Sequence, residues 1–233
     1  MKLGIIGAMA VEIATLKENM EGLTVSSWAG MDFCEGTLQG LPVVVVQCGV
    51  GKVNAAMCTQ ILRDRYSITH VVNTGVAGSL SAQLDIGDLV VSRDVMHHDM
   101  DCNYVGYPIG QVPGLDVLAF PGDSALIQAA YEAAEICNPG HTKMGRVASG
   151  DQFVAGEELK ERILQNTQAL CTEMEGAAIA HTAYRNGIPF VVIRAISDKA
   201  DDSAHMDYPT FEAIAARRCA EVTMTMAKQL SGC

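Results

Sequence analysis

The sequence predicts an α/β fold: one domain over residues 1–233, with a mixed, mostly parallel central β-sheet flanked by helices. Short apolar runs typical of buried strands alternate with longer helical patterns, which indicates a sheet that helices cover on both faces. Hydrophobic residues make up 49% of the chain and charged residues 18%, so the composition can fill a large core and argues against disorder. A length of 233 residues suits one sizeable domain.

The first elements follow from apolar runs and their boundaries. Residues 3–6 form a short apolar strand that ends at a glycine, and residues 9–20 have the pattern of a helix. The run 43–47 is rich in valine, which favours a strand, and a proline and a glycine bound it. A helix is predicted next, over residues 52–65.

The middle of the chain continues this alternation. The sequence "HVVNTG", residues 70–75, predicts a strand that ends in a glycine loop, and residues 87–98 predict a longer strand. Residues 99–122 are rich in glycine and proline and form the one long irregular segment, which is usually functional or at an interface. Residues 123–136 are rich in alanine, the best helix former, and predict a helix.

The last part of the chain adds two clear strands and two helices. Residues 144–150 predict a strand, a short strand is expected near residue 169, and residues 176–186 predict a helix. The run "PFVVIRAIS", residues 189–197, is apolar throughout except for one arginine, which indicates a strand buried on both faces. The final helix is predicted over residues 208–229.

Charge and cysteine usage restrict the partners and the compartment. The net charge is −11 and no Lys/Arg cluster occurs, so we expect neither a nucleic-acid nor a membrane partner. The eight cysteines form no C-x-x-C pair, which predicts core thiols in a reducing cytosol. The first apolar stretch is too short for a signal peptide, and none approaches the ~20 residues of a membrane span. We therefore expect a cytoplasmic location.

Acidic residues and glycine turns recur where the predicted strands end. Ligands of open α/β sheets bind beyond the carboxyl ends of the strands, so these residues are expected to share one site. They are Met9 and Glu12, "TGVAGS" at 74–79, "SGDQF" at 149–153, Glu173 and Glu175, and Ser197 and Asp198. In the glycine turns, a backbone without Cβ would let a flat ligand approach closely.

Three charged residues carry alternative interpretations. Arg194 lies in an otherwise apolar strand, so it needs an anionic partner, either in a structural salt bridge or in the site. Asp198 is either a turn cap or an acid whose pKa burial would raise enough to donate a proton near neutral pH. Glu12 is either a solvated helix residue or a general base.

Two further motifs argue against common cofactors. The segment "GVGKVNA", residues 49–55, lacks the first glycine and the Ser/Thr of a phosphate-binding loop, and no G-x-G-x-x-G occurs, so no dinucleotide cofactor is expected. The segment "HHDMD", residues 97–101, offers His98, Asp99 and Asp101, but a full set of metal ligands is not evident. We expect no metal here and favour a hydrogen-bonded His–Asp pair that orients the loop.

Seven segments, in this order, closely resemble the bacterial 5′-methylthioadenosine/S-adenosylhomocysteine nucleosidases of the purine nucleoside phosphorylase superfamily. They are "GIIGAM…E" (4–12), "GVGKVNAA" (49–56), "NTGVAGSL" (73–80), "GYPIGQVPG" (106–114), "SGDQF" (149–153), "EMEGAAIAH" (173–181) and "PFVVIRAISDKAD" (189–201). The resemblance covers nearly the whole chain. It implies a nucleoside phosphorylase-like fold and hydrolysis of the N-glycosidic bond of 5′-thioadenosines, with release of adenine and no cofactor.

The resemblance also implies residue roles. Asp198 is similar to the acid that protonates adenine N7, Glu12 to the base that activates water, and Glu175 to the carboxylate that binds the ribose hydroxyls. Other residues similar to those around the substrate are Met9, Gly78, Phe153, Val154, Met174 and Arg194. The role of Glu173 stays open between pairing with Arg194 and positioning Glu175.

The family is dimeric, which implies that each site borrows residues from the neighbouring protomer. Cys102, Val105 and Pro113 would reach that neighbouring site, and Val50 and Val53 could build the interface. Val105 departs from the Phe of many relatives, and Val76 stands where some have Ser. Both departures change the shape of the pocket more than its chemistry.

Water is favoured over phosphate as the nucleophile, independently of the resemblance. A phosphorolytic site needs cations to hold phosphate, whereas the first loop here supplies Glu12 and Arg194 is the one obvious cation. The alternatives left open are a phosphate-dependent phosphorylase, a futalosine-type nucleosidase and a nucleoside-binding protein without catalysis. A binding protein has little use for a matched acid and base, which argues against the last alternative.

Overall fold

A computed structural model describes residues 1–232, and within them the chain forms ten strands and six α-helices. The strands are β1 (Leu3–Gly7), β2 (Met20–Trp28), β3 (Met31–Leu38), β4 (Leu41–Gln47), β5 (His70–Ser79), β6 (Leu89–His97), β7 (Phe120–Pro121), β8 (Thr142–Ser149), β9 (Cys171–Glu173) and β10 (Phe190–Asp198). The helices are α1 (Ala10–Glu18), α2 (Lys52–Tyr66), α3 (Ser124–Cys137), α4 (Glu157–Thr167), α5 (Gly176–Asn186) and α6 (Ala204–Ser231).

All the strands of the described chain belong to one mixed sheet. Its order is β10-β6-β8-β9-β5-β1-β4-β3-β2, and β7 pairs with β6. Because β10 also pairs with β5, the strands β5, β10, β6, β8 and β9 form a closed ring. Among residues 1–232, five pairings are parallel and five are antiparallel. The predicted α/β class with a mixed central sheet is confirmed, although antiparallel pairs are more frequent than expected.

Helices cover both faces of the sheet, as alternation along the strands requires. Ile6 faces a core cluster that includes side chains of α2 and α5. Its neighbour Ile5 faces a second cluster, which includes side chains of α1, α3 and α6. In β4, Val44 and Val43 divide between the same two clusters. The continuous apolar runs seen in the sequence are therefore strands with helices on both sides.

Two regions without a sequence assignment are regular. Strand β2 was not recognised because nearly all of it is exposed, so it carries no buried-strand pattern. Its partner β3 was not predicted either, although it is partly buried. Helix α4 was missed for a similar reason: its sequence EELKERILQNT is mostly charged or polar, and it buries only Ile163 and Thr167. Elements that bury little apolar surface leave little hydrophobic periodicity to detect.

Helix α6 begins earlier than the sequence indicated. The sequence predicted its start at about residue 208, next to Pro209. The helix begins at Ala204, so Pro209 lies inside it. Across residues 1–232, no helix is both long and apolar enough to cross a membrane. Residues 99–122 are largely irregular, with a 3₁₀ turn at Asn103–Val105 and the short strand β7.

Candidate active site

One cavity of about 230 Å³ lies where several strands end. All nine site residues predicted from the sequence line it: Met9, Glu12, Gly78, Phe153, Val154, Met174, Glu175, Arg194 and Asp198. Further lining residues are Ala8, Val50, Val76, Ala77, Gln152, Thr172, Glu173, Ser197 and Tyr208. Ligands of open α/β sheets bind beyond the carboxyl ends of the strands, and this rule therefore selected side chains that are far apart in sequence but share one cavity.

Glu12 is held by the turn between β1 and α1. It is the third residue of α1, and its Oε2 accepts hydrogen bonds from the backbone N–H groups of Ala8 (2.6 Å) and Met9 (3.0 Å). Its Oε1 accepts from Val76 N–H at 3.0 Å. The side chain is 1% exposed, and burial raises its pKa despite nearby Arg194 and these donors. Glu12 is therefore a fixed carboxylate with raised basicity, not a solvated helix residue.

Arg194 is the cation at the centre of the acidic cluster. Its Nη2 lies 2.5 Å from Glu173 Oε2 and 3.7 Å from Glu175 Oε2, and its Nη1 lies 4.0 Å from Glu12 Oε1. It also donates to the Asn73 side chain. Burial alone would lower the pKa of Arg194, but the three carboxylates more than offset this and raise it. The guanidinium therefore stays charged, and three carboxylates share it.

Glu173 does both things that the sequence left open. It pairs with Arg194, and its carboxylate accepts the backbone N–H groups of Glu175 (3.0 Å) and Gly176 (2.8 Å) at the start of α5. The Ser149 hydroxyl donates to it as well. An acidic group is favourable at this end of a helix because it faces unpaired N–H groups. Glu173 thus fixes the backbone that carries Glu175.

Glu175 reaches the cavity with part of its hydrogen-bonding capacity free. Its Oε1 accepts the Gly51 backbone N–H at 2.9 Å, and the side chain is 5% exposed. Burial raises the pKa of Glu175, and the neighbouring Glu173 carboxylate raises it further. A carboxylate has about four acceptor positions, so Glu175 can still accept hydrogen bonds from a ligand.

Asp198 lies at the last position of β10. Its Oδ1 accepts the Ala200 backbone N–H and its Oδ2 the Ser197 hydroxyl, both at 2.9 Å. Burial raises the pKa of Asp198, against these two hydrogen bonds. A Cβ at Gly78 would lie 2.7 Å from Asp198 Oδ1, so glycine at that position leaves room for the carboxylate.

Apolar and aromatic side chains form the rest of the wall. Phe153 is 51% exposed, and its ring meets that of Tyr208 edge-on, with centroids 5.4 Å apart. The Tyr208 hydroxyl lies 3.2 Å from Met9 Sδ. Val154 is buried beside them. Tyr208 was not predicted as a site residue, because it lies at the start of the predicted last helix and no local pattern connects it to the strand ends.

The segment 97–101 behaves differently from the expectation. Asp99 pairs with Lys52 Nζ at 2.6 Å and accepts the Asp151 backbone N–H, while His98 Nε2 has no hydrogen-bond partner within the described residues. The expected His–Asp pair does not form, because the lysine is the stronger partner for the carboxylate. In the part of the chain that the structure covers, no three His, Cys, Asp or Glu side chains are grouped to hold a metal.

The residues expected to serve a neighbouring protomer lie away from this chain's own cavity. Val105 is 71% exposed, and Cys102 and Pro113 are also at least partly exposed. Val53 is 76% exposed on α2, and Val50 lines the cavity while remaining half exposed. Apolar side chains next to the cavity are therefore left on the surface.

Comparison with known proteins gives consistent matches. The family model described as the phosphorylase superfamily matches residues 2–228. A 5′-methylthioadenosine/S-adenosylhomocysteine nucleosidase of Geobacillus kaustophilus is 41% identical, with 97% of this chain and 96% of the relative covered. A crystal structure of the Neisseria meningitidis nucleosidase of that name, in complex with methylthio-immucillin-A, has a TM-score of 0.95 at 38% identity and covers 98% of this chain and 99% of its own.

A second activity occurs among similar structures. The futalosine hydrolase of Helicobacter pylori has a TM-score of 0.93 at 32% identity, with 98% of this chain and 97% of that chain covered. The same fold thus occurs, at 38% and 32% sequence identity to this chain, in proteins named for two different activities.

Proposed function

The chain belongs to the 5′-methylthioadenosine/S-adenosylhomocysteine nucleosidases of the phosphorylase superfamily, and from this membership we propose that it hydrolyses the N-glycosidic bond of both nucleosides and releases adenine. The observation that carries the proposal is that Glu12 and Asp198 face one cavity, each with a raised pKa. An acid for the leaving base and a base for water are the two groups that this hydrolysis needs.

Asp198 protonates the leaving adenine at N7. Its raised pKa keeps a fraction of the carboxyl groups protonated nearer neutral pH, where an ordinary aspartate is ionised. Protonation neutralises the charge that develops on the purine as the glycosidic bond lengthens. Gly78 and Val154 bound the space for the base, and Phe153 offers its ring for stacking.

Glu175 binds the ribose, and Glu12 activates water on the other side of the sugar. The free lone pairs of Glu175 accept the 2′- and 3′-hydroxyls, and Met174 packs against the ring. Glu12 Oε1 retains an acceptor position beyond its bond to Val76 and can take a proton from water. The surplus of carboxylates around Arg194 also stabilises positive charge on the sugar in the transition state.

The same charge distribution disfavours phosphate. Arg194 is already shared by Glu12, Glu173 and Glu175, and it is 1% exposed, so it is poorly available to a second anion. A phosphate would have to approach three buried carboxylates. Water has no such electrostatic penalty, which supports hydrolysis over phosphorolysis.

The proposal includes a homodimer in the cytoplasm. The exposed Val50 and Val53 beside the cavity support an interface there, with the partner's Cys102, Val105 and Pro113 completing the site. Exposed apolar groups of this kind mark interaction surfaces when they are contiguous. The cysteines of residues 1–232 are all free thiols, which supports a reducing compartment.

The deciding experiment measures adenine release from 5′-methylthioadenosine in phosphate-free buffer and again with added phosphate. Release without phosphate, together with free methylthioribose, is expected. Release that requires phosphate would make the protein a phosphorylase. The Asp198→Asn variant, purified in the same way, controls for a contaminating nucleosidase.

The second candidate is hydrolysis of futalosine, which the similar Helicobacter pylori structure favours. The acid, base and ribose carboxylate would have the same roles, because both reactions hydrolyse the N-glycosidic bond of a purine nucleoside. Competing the two nucleosides in one reaction separates the candidates. We expect 5′-methylthioadenosine to have the higher kcat/KM, and a higher value for futalosine would replace the first proposal.

A further inference from the structure

Tyr208 places a polar group in an otherwise apolar part of the cavity wall. Its hydroxyl lies 3.0 Å from Glu212 Oε1, one helical turn further along α6, and 3.2 Å from Met9 Sδ. Tyr208 lines the cavity, whereas Glu212 stands behind it. Because a carboxylate is the stronger acceptor, the hydroxyl donates its proton to Glu212 and leaves its lone pairs directed elsewhere.

The contacts assigned under the proposed function leave this wall for the 5′ end of the substrate. Asp198 and Gly78 take the base, and Glu175 takes the 2′- and 3′-hydroxyls. The lining residues not occupied by these contacts include Met9, Val50 and Tyr208, and each of them is at least partly exposed. A substituent on the 5′ carbon therefore passes Tyr208 on its way to solvent.

We propose that Tyr208, held by Glu212, is a specificity-determining residue that favours 5′-thioadenosines whose substituent ends in a cationic hydrogen-bond donor. This inference rests on the proposed nucleosidase function. The ammonium group of a homocysteine tail can donate to the Tyr208 oxygen and is attracted by the Glu212 carboxylate. A methylthio group can do neither.

The charges around this wall support a cation rather than an anion. Tyr208 stays protonated, because burial and the bond to Glu212 raise its pKa, and Glu12 and Asp198 raise it further. Asp207 and Asp201 lie close enough to Asp198 to raise its pKa as well. Lys160 is the described cation that pairs with Asp201, at 3.5 Å. The carboxylate of an amino-acid tail must therefore point to solvent, and its ammonium group towards Tyr208.

The test compares kcat/KM for three substrates in the wild type, Tyr208→Phe and Glu212→Gln. They are S-adenosylhomocysteine, 5′-methylthioadenosine and 5′-butylthioadenosine, a neutral probe with a tail of similar reach. In both variants, we expect the ratio of S-adenosylhomocysteine to 5′-butylthioadenosine to fall about tenfold, the loss typical of one hydrogen bond to a charged group. The ratio of the two neutral substrates should stay as in the wild type.

Matched controls come from the same chain. Tyr131→Phe removes a phenol oxygen on α3, and Glu221→Gln removes a carboxylate further along α6; neither residue lines the cavity. Both should keep the wild-type ratio. An unchanged ratio in Tyr208→Phe, or an equal loss for all three substrates, would overturn the inference. A wild type that releases no adenine from any of them would instead refute the proposed function on which it rests.

Discussion

Asp198 and Glu12 must hold opposite protonation states for hydrolysis to occur. Asp198 has to carry a proton and Glu12 has to lose one, yet burial raises both pKa values. The difference lies in their partners, because Glu12 accepts three backbone N–H groups and lies near Arg194, while Asp198 has one backbone donor and one hydroxyl. The different environments therefore suit Asp198 to the role of acid and Glu12 to the role of base.

Replacing Asp198 by asparagine removes the proton donor but keeps the size of the side chain. We expect kcat to fall by about 10²–10⁴-fold, the usual contribution of a general acid, with the thermal unfolding midpoint close to that of the wild type. Adenine release under saturating substrate measures this. Asp85→Asn, a change at an exposed carboxylate paired with Lys199, should keep wild-type kcat. A fully active Asp198→Asn protein would remove Asp198 from the mechanism.

Ser197 offers a way to move the pKa of the acid without touching its carboxyl group. Its hydroxyl donates to Asp198 Oδ2 and lowers the pKa of Asp198, so Ser197→Ala should raise it. Asp198 acts when protonated, and a raised pKa extends the protonated range upward. The alkaline limb of the kcat/KM profile should therefore shift to higher pH. Ser81→Ala, outside the cavity, is the control, and a shift to lower pH would contradict the assignment.

Among the helices and strands, α5 and the turn before it contribute both to the stability of the fold and to the geometry of the site. Glu173 accepts N–H groups at the helix start and pairs with buried Arg194, so one side chain fixes both the helix and the cation. The sequence pattern "EMEG" predicted an acidic pair at a strand end. It could not assign Glu173, because its contacts with Ser149 and Arg194 depend on β8 and β10.

Glu173→Gln leaves the arginine without its nearest carboxylate. We expect the free energy of unfolding to fall by about 3 kcal/mol, as for other buried ion pairs that lose one partner. Urea denaturation measures the change. Glu157→Gln, at an exposed position in the first turn of α4, should alter stability by a few tenths of a kcal/mol at most. Equal effects of the two substitutions would show that the Glu173–Arg194 pair adds no stability.

The buried elements of the fold could be predicted from the sequence more readily than the exposed ones. Buried strands such as β4 and β10 were predicted from their continuous apolar runs. The ends of β1, β9 and β10 located Glu12, Glu175 and Asp198. The exposed β2 carried no such signal. Tyr208 was missed because no local pattern links the start of α6 to Met9. Contacts between segments 199 residues apart arise only when the whole sheet is assembled.

At the scale of the whole molecule, the proposed dimer places exposed apolar groups against a second copy. Val53→Glu introduces a charge at a 76% exposed position on α2, and we expect it to shift the protein to monomers and to reduce kcat/KM. Sedimentation velocity and adenine release measure both effects. Val25→Glu, on the edge strand β2 and 56% exposed, should leave both unchanged. A wild type that sediments as a monomer with full activity would refute the dimer.

The closed ring of β5, β10, β6, β8 and β9 has a consequence for amide hydrogen exchange. A strand inside the ring has neighbours on both sides, so we expect its paired amide protons to exchange mainly when the ring opens. Edge strand β2 can detach alone, so its amide protons should exchange at a much smaller free-energy cost of opening. Asp198 and Glu173 belong to the slow class of residues. The proposed acid Asp198 and the carboxylate that pairs with Arg194 are thus anchored in the part of the molecule that we expect to lose its protection last.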